Sequence, residues 1–324
     1  MVKAVRLKAA GGPEVIEIAD VELPPPGDGE VTMRNSAIGL NYIDIYHRSG
    51  VYPVSFPSGL GVEAAGVVEA VGDNVQGFAK GDRVATFGPE LGAYAQARNI
   101  NASSLFKLPD SVDDETAAAI MLKGCTVEAL VERCAKVEAG QYVLVHAAAG
   151  GVGLLLTQWL KHVGANVIGT VSNEAKAQQA RDAGADHVIL SDADDLVDQI
   201  MALSDGKGVH TSFDGVGAAT WKTSLRATRP MGLIVSFGNA SGSIENVAIA
   251  ELASAGSLFV TRPGVFHYYH ETADRAAGCR RLFEMIDNGA LNVSVNQRYD
   301  LADAGQAHRD LAARKTTGST LLIP

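Results

Sequence analysis

The stretch AAAGGVG, at residues 147–153, combines three glycines with no polar side chain. An apolar run, YVLVH, precedes it, and apolar residues follow at helical spacing, so the glycines lie in a strand-to-helix turn. Ala148, Gly150 and Gly153 occupy the three positions of the G-x-G-x-x-G pattern, with alanine at the first. These positions need a tight turn, a bare backbone beside a pyrophosphate and close helix–sheet packing. We predict a dinucleotide site, in which the helix N-terminus binds the pyrophosphate. A merely tight turn is the alternative.

The end of the next apolar strand, in GTVSNEAK, predicts which dinucleotide binds. An NAD site usually has an acidic residue there, which accepts a hydrogen bond from the ribose 2′-hydroxyl. Ser172 and Asn173 stand there instead, Lys176 follows one turn later, and Glu174 falls past the strand end. A hydroxyl, an amide and an ammonium favour a 2′-phosphate, and hence NADPH. The competing interpretation makes Lys176 an ordinary exposed lysine and Ser172 the helix N-cap, and we expect the capping in either case.

The elements that must position these residues change in type near residue 141. Before it, short β-rich runs recur between glycines and prolines, and residues 1–120 lack helical periodicity, which predicts a barrel-like antiparallel domain. After it, six apolar strands alternate with helices, which predicts a parallel, doubly wound α/β sheet. Past Pro263 the alternation stops, and we expect the tail to fold back onto the N-terminal domain. The predicted domains are residues 1–123 with 265–324, and residues 124–264.

Composition narrows the function classes. The chain of 324 residues carries 27 Lys and Arg against 37 Asp and Glu, a formal charge of −10, which argues against nucleic-acid and anionic-membrane binding. Its three cysteines contain no C-x-x-C pair, which indicates a reducing compartment. The N-terminal residues show no apolar signal segment, so we expect a cytoplasmic protein.

Longer motifs resemble a known family. GQYVLVHAAAGGVGLLLTQWLK, at 140–161, resembles the signature of the quinone oxidoreductase and ζ-crystallin group of the medium-chain dehydrogenase/reductase superfamily, and GLGVEAAGVVEAVG, at 59–72, resembles that superfamily's G-x-E-x-x-G-x-V element. The segments 37–53, 213–217, 235–242 and 318–324 are similar to bacterial NADPH:quinone reductases. The resemblance implies a GroES-like catalytic domain, a Rossmann domain with a six-strand sheet, and an active-site cleft between them.

Carried over position by position, the resemblance implies NADPH contacts along most of the chain. Asn41, Tyr42, Ile43 and Asp44 would lie near the nicotinamide, Gly150, Gly151 and Val152 at the pyrophosphate, and Ser172, Asn173, Lys176 and Arg314 around the 2′-phosphate. The remaining contacts would come from Ser191, Val216, Phe237, Gly238, Asn239, Val260, Arg262 and Pro263. Two segments depart from close relatives, which often have tyrosines there: one contains Ser191, and the other contains Glu128 and Ala129.

The zinc-ligand positions of related alcohol dehydrogenases hold other residue types. A cysteine is replaced by Asn41, the histidine before Glu63 is replaced by Val62, and no cysteine precedes Cys125. Zinc needs a convergent set of thiolate or imidazole ligands. His267 and His270 have a suggestive spacing but no obvious partners, so we predict no metal site.

Quinone reduction fits an active site without a metal ion, because the product is a stabilised aromatic anion and the protein mainly supplies orientation and water exclusion. We predict NADPH-dependent hydride or electron transfer to a quinone, with Asn41, Asp44, Tyr46 and Tyr52 positioning the substrate. The tyrosines could instead be packing residues. Two other functions stay open: reduction of activated C=C bonds in enals and enones, and a structural or RNA-binding role of the ζ-crystallin type. A homodimer is also expected, since GSLFVTRPG would form an apolar strand at the sheet edge.

Overall fold

The computed structural model describes residues 1–324. Its strands are β1 Val2–Arg6, β2 Glu17–Val21, β3 Glu30–Leu40, β4 Glu63–Val71, β5 Arg83–Phe87, β6 Ala97–Asn101, β7 Leu105–Lys107, β8 Tyr142–His146, β9 Asn166–Val171, β10 His187–Leu190, β11 Val209–Asp214, β12 Thr228–Ser236, β13 Phe259–Thr261, β14 Val295–Asp300 and β15 Ser319–Ile323. Its α-helices are α1 Tyr42–Ser49, α2 Asp114–Glu128, α3 Gly151–Val163, α4 Glu174–Asp182, α5 Leu196–Leu203, α6 Trp221–Ala227, α7 Ile249–Ser254, α8 Val265–Tyr268, α9 Thr272–Asp287 and α10 Ala304–Ala312. A π-helix, Ala129–Ala135, continues α2.

The chain divides into two compact units. Unit 1 comprises Met1–Lys123, Arg275–Phe283 and Val293–Pro324, and unit 2 comprises Gly124–Asp274 and Glu284–Asn292. The predicted domain limits, with a boundary after residue 264, stay a prediction.

Unit 2 contains a six-stranded sheet in which every neighbouring pair is parallel, in the order β10-β9-β8-β11-β12-β13. Numbered from β8, the order is 3-2-1-4-5-6, that of a doubly wound dinucleotide-binding sheet. The predicted alternation of strands and helices is confirmed. The strands are apolar because helices cover both faces of such a sheet, and Leu144, Ile168 and Val209 lie in its core. β13 lies at the edge, as expected.

Unit 1 is β-rich and mostly antiparallel. Its main sheet runs β14-β15-β3-β4-β5-β7, with β6 also paired to β3, and residues such as Leu7, Met33 and Tyr94 fill its core. The C-terminal strand β15 pairs antiparallel with β3, with Thr320 opposite Leu40. This pairing confirms that the tail returns to the N-terminal unit, and the two sheets together confirm the predicted α/β class.

Two helices of unit 1 were not predicted from the sequence. Residues 1–120 show no helical periodicity, yet α1 occupies Tyr42–Ser49 and α2 begins at Asp114. Helix α1 has only eight residues, too few for a clear periodic signal. It is stabilised by a capping box, in which Asn41 and Asp44 satisfy each other's backbone N–H groups. No helix is both long enough and apolar enough to cross a membrane.

Candidate active site

The predicted dinucleotide turn has the geometry that its glycines imply. Strand β8 ends at His146, Ala147 adopts the left-handed conformation at φ +53°, and α3 starts at Gly151. A Cβ on Gly153 would lie 2.3 Å from the Ala147 carbonyl oxygen, so only glycine allows this close helix–strand approach. No side chain caps α3 at Gly150. The helix N-terminus therefore keeps the space and the N–H donors that a pyrophosphate needs.

The other predicted cofactor residues of unit 2 lie along the carboxyl-terminal end of the sheet. Because the six strands are parallel, all their carboxyl ends lie on that side, where ligands bind in doubly wound folds. Predicted residues follow the carboxyl end of every strand, in the order Gly150–Val152, Ser172, Asn173, Ser191, Val216, Phe237–Asn239, Arg262 and Pro263. Val260 differs, since it lies within β13. A cavity of about 330 Å³ is lined in part by Asn239, Val260 and Arg262.

The end of β9 differs from the sequence expectation in one detail. Asn173, not Ser172, is the N-cap of α4, and its side-chain oxygen accepts a hydrogen bond of 3.0 Å from the Lys176 N–H. The expected capping by Ser172 is wrong because β9 extends through Val171, which places the first helical residue at Glu174. The carboxylate of Glu174 pairs with Arg181 at 2.7 Å. The one acid near this strand end is therefore engaged by a cation of its own helix.

A buried polar network supports the carboxyl-terminal end of the sheet. Asp214, at the end of β11, accepts hydrogen bonds from the N–H groups of Val216 and Gly217, both at 2.9 Å, and from the Ser224 hydroxyl at 2.9 Å. Since Ser224 donates to Asp214, its oxygen accepts from Nε2–H of His146 at 3.1 Å. Burial lowers the pKa of His146, which keeps the ring neutral. The network therefore holds the turns after β8 and β11 in fixed positions.

In unit 1, the predicted substrate-positioning residues lie on α1 and close to its two ends, with Asn41 before the helix and Tyr52 after it. The tyrosine rings form a row: the centroids of Tyr42 and Tyr46 are 5.7 Å apart, and those of Tyr46 and Tyr52 are 5.1 Å apart. His47 continues the row, 5.9 Å from Tyr52 in an edge-on arrangement. Tyr46, the central ring, is buried, and the half-buried rings of Tyr42, His47 and Tyr52 offer an aromatic surface to a flat ligand.

Asn41 and Asp44 are buried at the start of α1 and are held by polar contacts. The Asn41 amide nitrogen donates to Glu63 Oε2 at 2.7 Å, and the Asn41 N–H donates to Asp44 Oδ2 at 2.9 Å. Glu63 is fully buried and also accepts from the Leu122 N–H at 2.6 Å, with Lys123 Nζ at 3.5 Å. These contacts fix where β3 ends and where α1 begins.

A directed chain of hydrogen bonds leads from Arg48 to Asp44. Arg48 can only donate, so Nδ1 of His308 accepts from it at 3.2 Å. Nε2–H of His308 then donates to the Tyr94 oxygen at 3.1 Å, and the Tyr94 hydroxyl donates to Asp44 Oδ2 at 3.0 Å. Asp44 Oδ2 therefore accepts from the Tyr94 hydroxyl at the end of this chain and from the Asn41 N–H, while Asp44 Oδ1 is buried with no partner.

Burial dominates the ionisation of this chain. It raises the pKa of Asp44 to about 7, although the bonds from Asn41 and Tyr94 oppose the shift. It also lowers the pKa of His308 to about 3, and the nearby Arg48 charge acts in the same direction. His308 therefore stays neutral, whereas Asp44 titrates near neutral pH.

Two segments of the chain carry residues that depart from close relatives, and the structure explains one of these departures. Glu128 is buried at the end of α2, where its carboxylate accepts from Arg133 Nε at 2.9 Å and from the Tyr269 hydroxyl at 2.6 Å. Ala129 begins the π-helix. Ser191 is exposed after β10, and nothing in the structure explains its identity. In unit 1, burial raises the pKa of Tyr42, and the nearby charge of Arg314 opposes this shift.

Several residues of these networks escaped the sequence analysis: Glu63 as a polar anchor, Tyr94, His146, Asp214 and His308. A histidine ending an otherwise apolar strand was the available signal for His146. Tyr94 and His308 are 214 positions apart, so spacing gives no signal for them.

Residues 1–324 contain no group of three or more His, Cys, Asp or Glu side chains that could hold a metal ion.

Family comparisons cover most of the chain. The Alcohol dehydrogenase GroES-like domain family matches residues 27–110, and the Zinc-binding dehydrogenase family matches residues 151–276. The first lies in unit 1 and the second begins at the first residue of α3.

Individual relatives match the chain from end to end. A quinone oxidoreductase of Pseudomonas aeruginosa is 47% identical over 100% of both chains. The structure of Escherichia coli quinone oxidoreductase complexed with NADPH is 43% identical and superposes with a TM-score of 0.97, covering 99% of this chain and 100% of that one. A 2-haloacrylate reductase of Burkholderia sp is 41% identical over 100% of this chain and 99% of its own.

The doubly wound sheet, the glycine turn and the β-rich unit closed by β15 agree with these matches. The chain therefore belongs to the quinone oxidoreductase family of the medium-chain dehydrogenase/reductase superfamily, with a GroES-like unit and a Rossmann unit.

Proposed function

We propose that this protein is an NADPH-dependent reductase of quinones. The single observation that carries the proposal is the row of tyrosine rings on and just after α1, Tyr42–Tyr46–Tyr52, in a chain with full-length similarity to quinone oxidoreductases. Neighbouring rings of the row are tilted by 56°, and the flat ring of a quinone can pack against such rings by offset stacking or edge-to-face contact. Overall, a quinone, the cofactor hydride and one proton give the hydroquinone and NADP⁺.

The residues of unit 2 fit NADPH. The uncapped start of α3 suits the pyrophosphate, and Ser172, Asn173 and Lys176 suit the 2′-phosphate because Glu174 is paired with Arg181. When bound, the cofactor supplies the hydride. Asn239, Val260 and Arg262 line a cavity in the same unit. We propose that these three residues, together with Val216, Phe237, Gly238 and Pro263, contact the rest of the cofactor. Arg314 as a second 2′-phosphate ligand stays a proposal.

Asn41 and Asp44 act in this proposal by holding α1 rather than by proton transfer. Asp44 is fully buried and its Oδ2 accepts from Asn41 and Tyr94. The amide nitrogen of Asn41 is bonded to Glu63. The two residues therefore fix the first turn of the helix that carries Tyr42 and Tyr46. The tyrosines form a wall and donate hydrogen bonds to an oxygen that needs little stabilisation.

Reduction of activated C=C bonds is a second candidate, favoured by the full-length match to a 2-haloacrylate reductase. An RNA-binding role has weaker support because the formal charge is −10.

We also propose a cytoplasmic location, supported by the three free cysteines.

We further propose a homodimer formed through β13. This edge strand leaves Phe259 64% and Val260 40% exposed, and Met231 and Ile249 on neighbouring segments are 71% and 82% exposed. An unpaired apolar strand edge can pair with its symmetry mate and bury these side chains.

The main test is turnover on a panel of acceptors with NADPH and NADH. We expect NADPH oxidation with quinones, slower or no turnover with enones and 2-haloacrylate, and negligible oxidation of simple alcohols.

Tyr46→Phe and Tyr52→Phe should lower kcat only modestly, and Tyr52→Ala should mainly raise KM because an aromatic wall is lost. A loss of about a thousandfold in kcat in either Phe variant would identify an obligate donor and favour the C=C or carbonyl reductase function.

Cofactor preference is tested by Lys176→Ala. A charge-assisted hydrogen bond to the 2′-phosphate contributes about 1.5–3 kcal/mol, so NADPH binding should weaken about tenfold or more, and NADH binding should barely change. Fluorescence titration measures both affinities. Lys207→Ala, at an exposed position of the same unit, is the control. Equal losses for both cofactors would contradict the phosphate assignment.

Asp44→Asn tests the buried carboxylate by its pH dependence. The folded-state pKa of Asp44 is about 7, against about 3.9 in an unfolded chain. The folded state thus favours the protonated acid, so the contribution of Asp44 to stability is full below about pH 4 and is lost as pH rises through about 7. Urea unfolding at several pH values should show the variant gaining stability relative to the parent between these limits, by up to about 1.4 kcal/mol per pH unit. A pH-independent difference would contradict the raised pKa.

Phe259→Asp tests the dimer by placing a charge on the edge of β13. We expect the parent to sediment as a dimer and this variant as a monomer, because two buried aspartates would oppose each other across the symmetry axis. Val71→Asp, at another exposed apolar position, is the control and should stay dimeric. A parent protein that sediments as a monomer at all concentrations would refute the proposal.

A further inference from the structure

His47 occupies a position on α1 that matches the proposed site. Helix α1 buries Asp44, Ile45, Tyr46 and Arg48, and leaves Tyr42, Ile43 and His47 half-buried. Ile43 and His47 are four residues apart, so they share one face of the helix. The His47 ring also lies edge-on to Tyr52 at 5.9 Å. His47 therefore extends the aromatic row with a ring that carries polar atoms.

The two ring nitrogens of His47 have different surroundings. Nδ1 is buried and has no hydrogen-bond partner. A buried N–H without an acceptor is among the rarest unsatisfied groups in proteins, so the proton belongs on Nε2 of this half-buried residue. Burial also lowers the pKa of His47, which keeps the ring neutral at neutral pH. The side chain thus presents one N–H donor beside Tyr52, and no charge.

We propose that His47 is a further catalytic residue, whose Nε2–H donates a hydrogen bond to the carbonyl oxygen of the quinone acceptor; this rests on the proposed function. The bond strengthens as the oxygen gains negative charge during hydride transfer, because a hydrogen bond to a charged acceptor is stronger than one to a neutral acceptor. His47 keeps its proton throughout, and the proton that completes the hydroquinone comes from water. The residue therefore acts on the charge that develops and not on the binding of NADPH.

Two substitutions separate this role from packing. His47→Phe keeps a flat ring beside Tyr52 and removes the N–H, whereas His47→Gln keeps an amide N–H at a similar reach. Steady-state kinetics with NADPH and a 1,4-naphthoquinone give kcat and KM for the acceptor. NADPH titration and thermal unfolding report whether the cofactor site and the fold are intact.

We expect His47→Phe to lower kcat about tenfold with KM for the quinone within about twofold, because the lost bond is strongest in the transition state. His47→Gln should retain most of the parent kcat. NADPH affinity and the unfolding midpoint should stay unchanged in both. A parent enzyme that fails to reduce quinones would overturn the proposed function. A quinone-active parent whose Phe variant keeps kcat, or changes only KM, would overturn the role of His47 alone.

Discussion

A single buried carboxylate organises the part of unit 1 that carries the candidate chemistry. Glu63, the first residue of β4, accepts from Asn41, which follows β3, and from Leu122 in α2, with Lys123 nearby. Moving a carboxylate out of water is costly unless its oxygens are hydrogen-bonded and its charge is paired. Those requirements bring three segments to one point. A Cβ on Gly39 would lie 2.2 Å from Glu63 Oε2, so the neighbouring strand must also be bare there.

Unit 2 positions its binding groups mainly with backbone. The close approach of Gly153 to Ala147 places the start of α3 directly above the end of β8. The network of Asp214, Ser224 and His146 then links this strand end to β11 without any exposed charge. Backbone N–H groups point where the chain directs them, so such a site is accurate once the turns are fixed. Unit 1 instead presents side chains, whose placement depends on the buried contacts of Glu63 and Asp44.

The parallel sheet could be predicted from the sequence because strands covered on both faces are apolar along their length, and because glycine turns separate them from amphipathic helices. Helix α1 could not, since eight residues show little periodicity and its stability comes from a capping box and from burial. The choice of Asn173 over Ser172 as a helix cap was equally inaccessible, because both residue types cap well and the outcome depends on where β9 ends. The contacts of His308 with Tyr94 and Arg48 join distant segments, which no local pattern reports.

The length of β13 has a consequence for aggregation. An apolar strand edge can template uncontrolled β-pairing, which typically requires segments of about six residues. Strand β13 has only three residues, Phe259–Thr261. Arg262 and Pro263 follow it directly, and proline has no N–H with which to extend a ladder. The edge can therefore form one short pairing but cannot be extended into a fibril-forming segment, because a charge and a proline act as gatekeepers at its end.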